Sequence, residues 1–193
     1  MHNFLTANIG ITYKCNFKCL HCYSQNERNI VEEFDAQWWK KTLTLLEQHG
    51  VMVLVYAFGE SLLRRDFFEI SSFAKDLGLH QILMTNGYFV PKFVNEIKNS
   101  GINRVFVSID SCHKEKHDSN RGIPGAFERA LESLKTLGDH GIRRGIAFSY
   151  DKNNISETED IIKLAINVGC NEVSLMKMRA NYKIPIKTHQ LSH

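Results

Sequence analysis

No apolar run in this sequence approaches the ~20 residues that a bilayer-spanning helix needs. The first ten residues, MHNFLTANIG, lack the basic start and long apolar core of a secretory leader. A membrane partner is therefore not expected, and the cytoplasm is the expected location. An excess of one charge is also missing. Lysine and arginine number 24 against 21 acidic residues, a formal charge of +3. That balance carries no nucleic-acid partner, and basic pairs such as Arg64-Arg65 and Arg143-Arg144 read as solvated surface. Internal linkers, low-complexity segments and sequence repeats are absent too. Five cysteines, an odd number, do not suggest a disulfide framework, and a tight cluster of them in a reducing compartment reads as metal or redox chemistry.

What is present is the composition of one globular domain: 193 residues, 43% hydrophobic and 23% charged. Apolar β-rich runs alternate with helical patterns along the chain. Strands are predicted at Phe4 to Thr12, Val51 to Ala57, His80 to Thr85, Val105 to Ile109, Ile142 to Tyr150 and Glu172 to Met178. Between them, Asp35 caps a helix that stops at Gly50, and Asp66 opens one that ends near Gly78. Pro91 stands at a first helical position with Gly101 just past that helix's end. A long loop from Asp110 to Pro124 precedes a helix from Gly125 to His140. Ser156 with Glu159 reads as a capping box for a helix ending at Gly169. Six strands and five intervening helices predict a parallel sheet wound with right-handed crossovers, as an open sheet or as a closed or partial barrel. Either form puts the working loops at the C-terminal ends of the strands.

The first of those loops holds Cys15-Asn-Phe-Lys-Cys19-Leu-His-Cys22, a C-x3-C-x2-C spacing. Three thiolates on one short loop can hold three irons of a cubane cluster and leave the fourth iron open to an external ligand. Zinc is the competing reading, and chance clustering of buried thiols another. Zinc needs a fourth ligand, His21 is badly placed to join both neighbouring cysteines on one metal, and no second cysteine pair exists elsewhere.

Cys15, Cys19, Cys22 and the following Tyr23 resemble the signature loop of the radical S-adenosylmethionine superfamily. The resemblance implies an α/β fold, a partial (β/α)6 TIM-like barrel of parallel strands with its last helix missing or short. It implies a core domain over residues 1–180, with 181–193 a tail of no recognisable element. It also implies a [4Fe-4S] cluster on the three cysteines, with S-adenosylmethionine chelating the open iron. One electron then cleaves the sulfonium to methionine and a 5′-deoxyadenosyl radical, which abstracts hydrogen from a substrate.

Further segments resemble the family's pattern in order. Phe58-Gly59-Glu60-Ser61 is similar to its Gly-Gly-Glu-Pro motif, with departures at the first and last positions; Gly59 and Glu60 are thereby implied at the cofactor's amine. Thr85-Asn86-Gly87 resembles a recurring Thr-Asn-Gly, which puts Asn86 near the adenosine. Ser108-Ile109-Asp110 suggests Ser108 and Asp110 near the ribose or carboxylate. His117-Asp118-Ser-Asn-Arg121-Gly122 resembles the family's loop ending in Arg-Gly, and Arg121 would take the methionyl carboxylate bidentately. Asn154 falls where the family often has an asparagine near the adenine. Each segment alone also reads as an ordinary strand-end turn or cap.

The resemblance is greatest to members that modify peptides or protein side chains, many of which carry a C-terminal domain with extra cysteines. Cys112 and Cys170 are too few and too separated for a second cluster. The expectation is a minimal member or a shortened chain, the missing sixth helix favouring the latter. Cys112 lies beyond Ser108-Ile109-Asp110 and could donate hydrogen to a substrate radical, or be an incidental loop thiol. The expected partners are a peptide, protein or small-molecule substrate and an electron donor such as flavodoxin or ferredoxin. The competing classes are a radical activase or small-molecule enzyme of the same superfamily, and a non-catalytic cluster- or zinc-binding regulator.

Overall fold

The structure is a computed structural model, and it describes residues 5–22, 24 and 32–178. The expectation of a missing or short last helix, and the tail, fall outside the described residues, as does Tyr23. Six strands form one sheet in sequence order: β1 (Leu5–Ile9), β2 (Val51–Tyr56), β3 (His80–Thr85), β4 (Ile102–Ser108), β5 (Arg143–Tyr150) and β6 (Glu172–Lys177). Every neighbouring pair is parallel. The sheet curls into a half-barrel with helices on its outer side, a partial TIM-like fold. The helices are α1 (Ala36–Gln48), α2 (Phe67–Asp76), α3 (Val90–Asn99), α4 (Lys114–Arg121), α5 (Ala126–Asp139) and α6 (Thr158–Asn167).

The core lies between the convex side of the sheet and the helices. Leu54, Tyr56, Leu83, Val105, Val107, Ile146 and Phe148 are fully buried against residues such as Leu43, Phe67, Ile70, Ile97 and Leu134. The other face of each strand points into the half-barrel and is less covered, which is why Val53, Val55, Ile82 and Met84 are only half-buried. One polar network runs through this core. Tyr56 donates to Gln81 Oε1 at 2.7 Å, Ser71 Oγ donates to the same oxygen at 2.8 Å, and Gln81 Nε2 donates to the carbonyls of Ser71 and Ser100. It ties β2, α2, β3 and the end of α3 together with its buried groups partnered.

Most predicted elements stand where the periodicity puts them, and the differences have physical causes. β1 ends at Ile9, not Thr12, because the chain turns away at Gly10 to pack its next residues under the loop that follows β2. β4 begins three residues early. Asn103 and Arg104 break the apolar run, yet Asn103 Oδ1 accepts from Gln81 N and Arg104 pairs with Glu172. The predicted loop from Asp110 to Pro124 contains α4, whose sequence KEKHDSNR has no apolar stripe. That helix buries His117 and Arg121, four residues apart on one face. The connection between β4 and β5 therefore holds two helices, and the sheet has six intervening helices among the described residues where five were expected. Ser156 does not cap α6. It lies in a 3-10 turn (Ile155–Glu157), α6 starts at Thr158, and Glu157 turns back to accept from Ser111 Oγ and Cys112 N. Asp35 does cap α1, accepting from Trp38 N at 2.8 Å. Asp66 precedes α2 without a side-chain cap, its carboxylate held by Arg64 instead.

Candidate active site

A cleft of about 530 Å³ opens at the C-terminal ends of the strands. Every strand end contributes to its lining, Asn8, Ala57, Met84, Ser108, Ser149 and Met176 among the residues it supplies. Alternation requires this, since these residues share the inward face of the half-barrel. One wall is the cysteine loop, with Cys15, Cys19, His21, Cys22 and Ser24. Gly59, Asn86 and Arg121 line the cleft next to that loop, and Thr85, Lys177 and Met178 are also part of its lining.

Two glycines let the cysteine loop sit this close. Gly59 has φ +58°, and a Cβ there would meet the Thr12 and Lys14 carbonyl oxygens at 2.5 and 2.7 Å. Glu60 N then donates to Lys14 O at 2.8 Å. On the other side Gly122, at φ +68°, has room for no Cβ beside Lys18 O, while Lys18 N and Leu20 N donate to the carbonyls of Arg121 and Asn120. The loop is thus pinned between the end of β2 and the end of α4.

The thiols stand in a small apolar cluster of their own. Phe17, Cys19 and Ala126 are buried together, and Cys15, Cys22 and Ile123 pack against them. Asn86 Nδ2 lies 3.7 Å from Cys15 Sγ and donates to Asn16 Oδ1 at 2.9 Å. Cys22 Sγ is 3.4 Å from Ser24 Oγ, and Arg121 Nη1 is 3.9 Å from Cys19 Sγ. Burial pushes the Cys19 thiol up, and Arg121 works against that. Among the described residues no three His, Cys, Asp or Glu side chains converge as a site for a single metal ion. Three soft thiols on one wall, in an apolar shell with side-chain donors at their sulfurs, fit the donor set of an iron–sulfur cluster with an open corner.

Glu60 does not line the cleft. Its carboxylate is fully buried beneath the rim, where Thr85 Oγ1 lies 2.9 Å from both oxygens, Asn86 N donates at 2.9 Å and Leu62 N at 3.3 Å. Burial raises its pKa to about 7 despite those donors. Asp110 is also fully buried, behind Arg121, with Oδ1 2.6 Å from Arg121 Nη2 and Oδ2 3.8 Å from His21 Nε2. Burial alone would raise Asp110; Arg121, His21 and His117 outweigh it and hold the carboxyl below its usual range. Asp110 Oδ2 and Arg121 Nε make no hydrogen bond. Asn154 is buried off the cleft, donating to the Asp110 and Ser149 carbonyls at 3.0 Å each and accepting from Asp151 N at 2.7 Å. Cys112 is half-buried against the main core and is not on the cleft wall; burial, then Glu157, pushes its thiol up to about 11.

The structure therefore brings Cys15, Cys19, Cys22, Gly59, Asn86, Ser108 and Arg121 to one cleft, and puts Glu60, Asp110 and Asn154 directly behind it. Sequence reasoning did not single out Asn8, Asn16 and Ser149 for the site, and it named Gly122 only as part of the Arg-Gly motif. Asn8, Ser108 and Ser149 share a usable signal, a small polar residue that ends an apolar strand.

The Radical SAM superfamily model matches residues 9–172. The chain belongs to the radical SAM superfamily. Radical SAM relatives include an AdoMet-dependent heme synthase of Methanosarcina barkeri, 33% identical over 161 residues, which cover 82% of this chain and 46% of that protein. The antilisterial bacteriocin subtilosin biosynthesis protein AlbA of Bacillus subtilis is 29% identical over 172 residues, 88% of this chain and 38% of that protein. The chain spans less than half the length of either. Among solved structures, Streptococcus suis SuiB bound to S-adenosylmethionine superposes with a TM-score of 0.83 over the whole chain and 44% of its own, at 16% identity, a likeness of fold. The family implies a [4Fe-4S] cluster and S-adenosylmethionine, and solved structures of the same fold contain the latter. No helix among the described residues is long and apolar enough to cross a membrane.

Proposed function

We propose that Cys15, Cys19 and Cys22 hold the cluster, that the cleft beside them holds S-adenosylmethionine, and that the radical formed there abstracts hydrogen from a peptide or protein side chain. The observation that carries the reading is the meeting, in one cleft, of three thiols from one loop with Gly59, Asn86, Ser108 and Arg121 from three other strand ends and α4. When bound, the cluster supplies one electron that splits the sulfonium into methionine and a 5′-deoxyadenosyl radical.

The chain's own residues do the holding and orienting. Gly59 exposes backbone to the cofactor's amine, and Glu60 acts from behind by fixing Thr85 and Asn86. Asn86 braces the cysteine loop through Asn16 and faces the adenosine. Arg121 lines the cleft and would offer its guanidinium to the methionyl carboxylate. Asn154 holds the β5 end against Asp110 and so shapes the adenine side. Tyr23, next to the last cysteine, belongs to the same cofactor site in this reading. Cys112, off the cleft, has no part in it.

The peptide substrate is supported by the likeness to AlbA, a protein of bacteriocin biosynthesis. The identity to heme synthases favours a second reading, a small-molecule substrate. An external one-electron donor such as flavodoxin or ferredoxin completes the scheme. The test is anaerobic incubation of cluster-loaded protein with dithionite and S-adenosylmethionine, with 5′-deoxyadenosine measured by chromatography. Product is expected; its sustained absence at full cluster loading would withdraw the enzymatic reading of this chain by itself. Deuterated candidate peptides and porphyrins then discriminate the substrates by deuterium in 5′-deoxyadenosine. Arg121→Ala should weaken S-adenosylmethionine binding by ~10- to 100-fold, one lost charged contact, and unchanged affinity by titration would move the carboxylate site elsewhere.

A further inference from the structure

The cysteine sulfurs meet donors of different charge. Cys15 faces the neutral amide of Asn86 and Cys22 the hydroxyl of Ser24, whereas Cys19 faces the guanidinium of Arg121 at 3.9 Å. That cation is buried and fixed on several sides. Its Nη2 is bound to Asp110 Oδ1 at 2.6 Å. The Arg121 carbonyl accepts from Lys18 N, and Gly122 presses on Lys18 O, so the guanidinium and the cysteine loop are held as one unit. Asp110 is itself oriented through its backbone: its N–H donates to His117 Nδ1 at 3.1 Å and its carbonyl accepts from Asn154 Nδ2 at 3.0 Å. An acceptor Nδ1 makes His117 the neutral, Nε2-protonated imidazole, so it adds no charge of its own.

We propose that Arg121 is a positioning residue that raises the reduction potential of the cluster through Cys19, and that Asp110 is the counter-charge that holds the guanidinium there and limits the rise. This rests on the reading of Cys19 as a ligand. The argument is electrostatic. Reduction adds one negative charge to the cluster and moves no atom. A buried cation and an N–H···S contact at one ligand favour the reduced form, and a carboxylate behind them opposes it. The pair is nearly neutral from a distance. It is strongly polar at short range because Arg121 stands between Asp110 and the thiol. The two members of the pair must therefore act with opposite sign, which a merely structural role for either would not produce.

The experiment is a potentiometric titration of the reconstituted full chain, without S-adenosylmethionine, read by absorbance and electron paramagnetic resonance after iron and sulfide are counted in each sample. For Arg121→Gln the ratio of reduced to oxidised cluster at the parent's midpoint should fall about tenfold, ~59 mV for a one-electron couple. Asp110→Asn should shift the midpoint the opposite way, and Arg121→Lys, which keeps the charge, should lie closer to the parent than Arg121→Gln does. Shifts of the same sign in Arg121→Gln and Asp110→Asn, or an Arg121→Gln midpoint equal to the parent's, would overturn the proposal. If Asp110→Asn loads no cluster, the order of Arg121→Lys and Arg121→Gln decides, and a reversed order overturns it. A parent that takes up no iron sinks the reading of the cysteines instead, at the counting step before any potential is measured.

Discussion

At the scale of single residues, the site depends on a few atoms that could not be other than they are. Gly59 and Gly78 both have positive φ, +58° and +77°, but a Cβ at Gly78 meets nothing within 4 Å whereas one at Gly59 runs into two backbone carbonyls. Alanine at Gly78 should cost only the left-handed conformation, about 1–2 kcal/mol. Gly59→Ala should cost more and should also displace the cysteine loop, lowering iron uptake; equal melting temperatures and equal iron content in the two variants would contradict that. His117 supplies a pH signature. Burial, with Arg121 next, lowers its pKa to about 4 from an ordinary 6.5, although Asp110 and Asp118 pull the other way. Its stabilising contribution is complete above pH 6.5 and is lost as pH falls toward 4, on the order of 3 kcal/mol. Glu60 acts in the opposite sense, since a raised carboxyl pKa loses stability as pH climbs from 4.5 to 7. Urea midpoints at several pH values should therefore fall more steeply toward acid for the parent than for His117→Asn, in which Glu60 is unchanged. Parallel slopes would show that His117 is not the group that titrates.

At the scale of elements, the predicted capping box at Ser156 and the observed role of Glu157 make opposite claims about α6. Glu157 accepts from Ser111 Oγ at 2.5 Å and Cys112 N at 3.2 Å and pairs with Lys116 Nζ at 2.5 Å, linking the start of α6 to the β4–α4 segment behind the cleft. Glu159 is exposed and pairs with the likewise exposed Lys163 one turn on. Glu157→Ala should destabilise the protein by about 2 kcal/mol, against a few tenths for Glu159→Ala. Thermal melts in which Glu159→Ala is the worse of the two would restore the capping box. The same contrast explains why α4 was illegible. A polar eight-residue helix has no periodicity to read, and its helical state rests on burying His117 and Arg121 against groups far away in sequence. By contrast α1, α5 and the central strands carry caps, glycine stops and apolar runs locally, and their positions could be read directly.

At the scale of the whole molecule, the two ends of the half-barrel divide the work. The C-terminal ends of the strands carry the cleft, and the N-terminal ends carry an ion-pair cluster, with Glu172 bridging Arg104 at 2.7 Å and Arg143 at 3.1 Å across β4, β5 and β6. Glu172→Ala should lower stability by about 1 kcal/mol, because the partners are partly exposed and screened, while leaving S-adenosylmethionine affinity unchanged. A loss of affinity comparable to that of Arg121→Ala would show that the two ends are coupled through the sheet.

By itself the sequence determined the alternation of strands and helices, the parallel sheet, and the grouping of three cysteines on the loop after β1, because hydrophobic period, caps and motif spacing are local properties of the chain. It also singled out Gly59, Asn86, Ser108 and Arg121, all of which reach the cleft. Only the tertiary structure decided which groups stand behind that cleft. Glu60 and Asp110 are buried acids whose partners come from 25 and 11 residues away in the chain, and Gly59 and Gly122 matter through carbonyls of the cysteine loop. Such roles are pairwise. A buried charge is set by what surrounds it in space, and no spacing along the chain encodes the neighbour that packing brings to it.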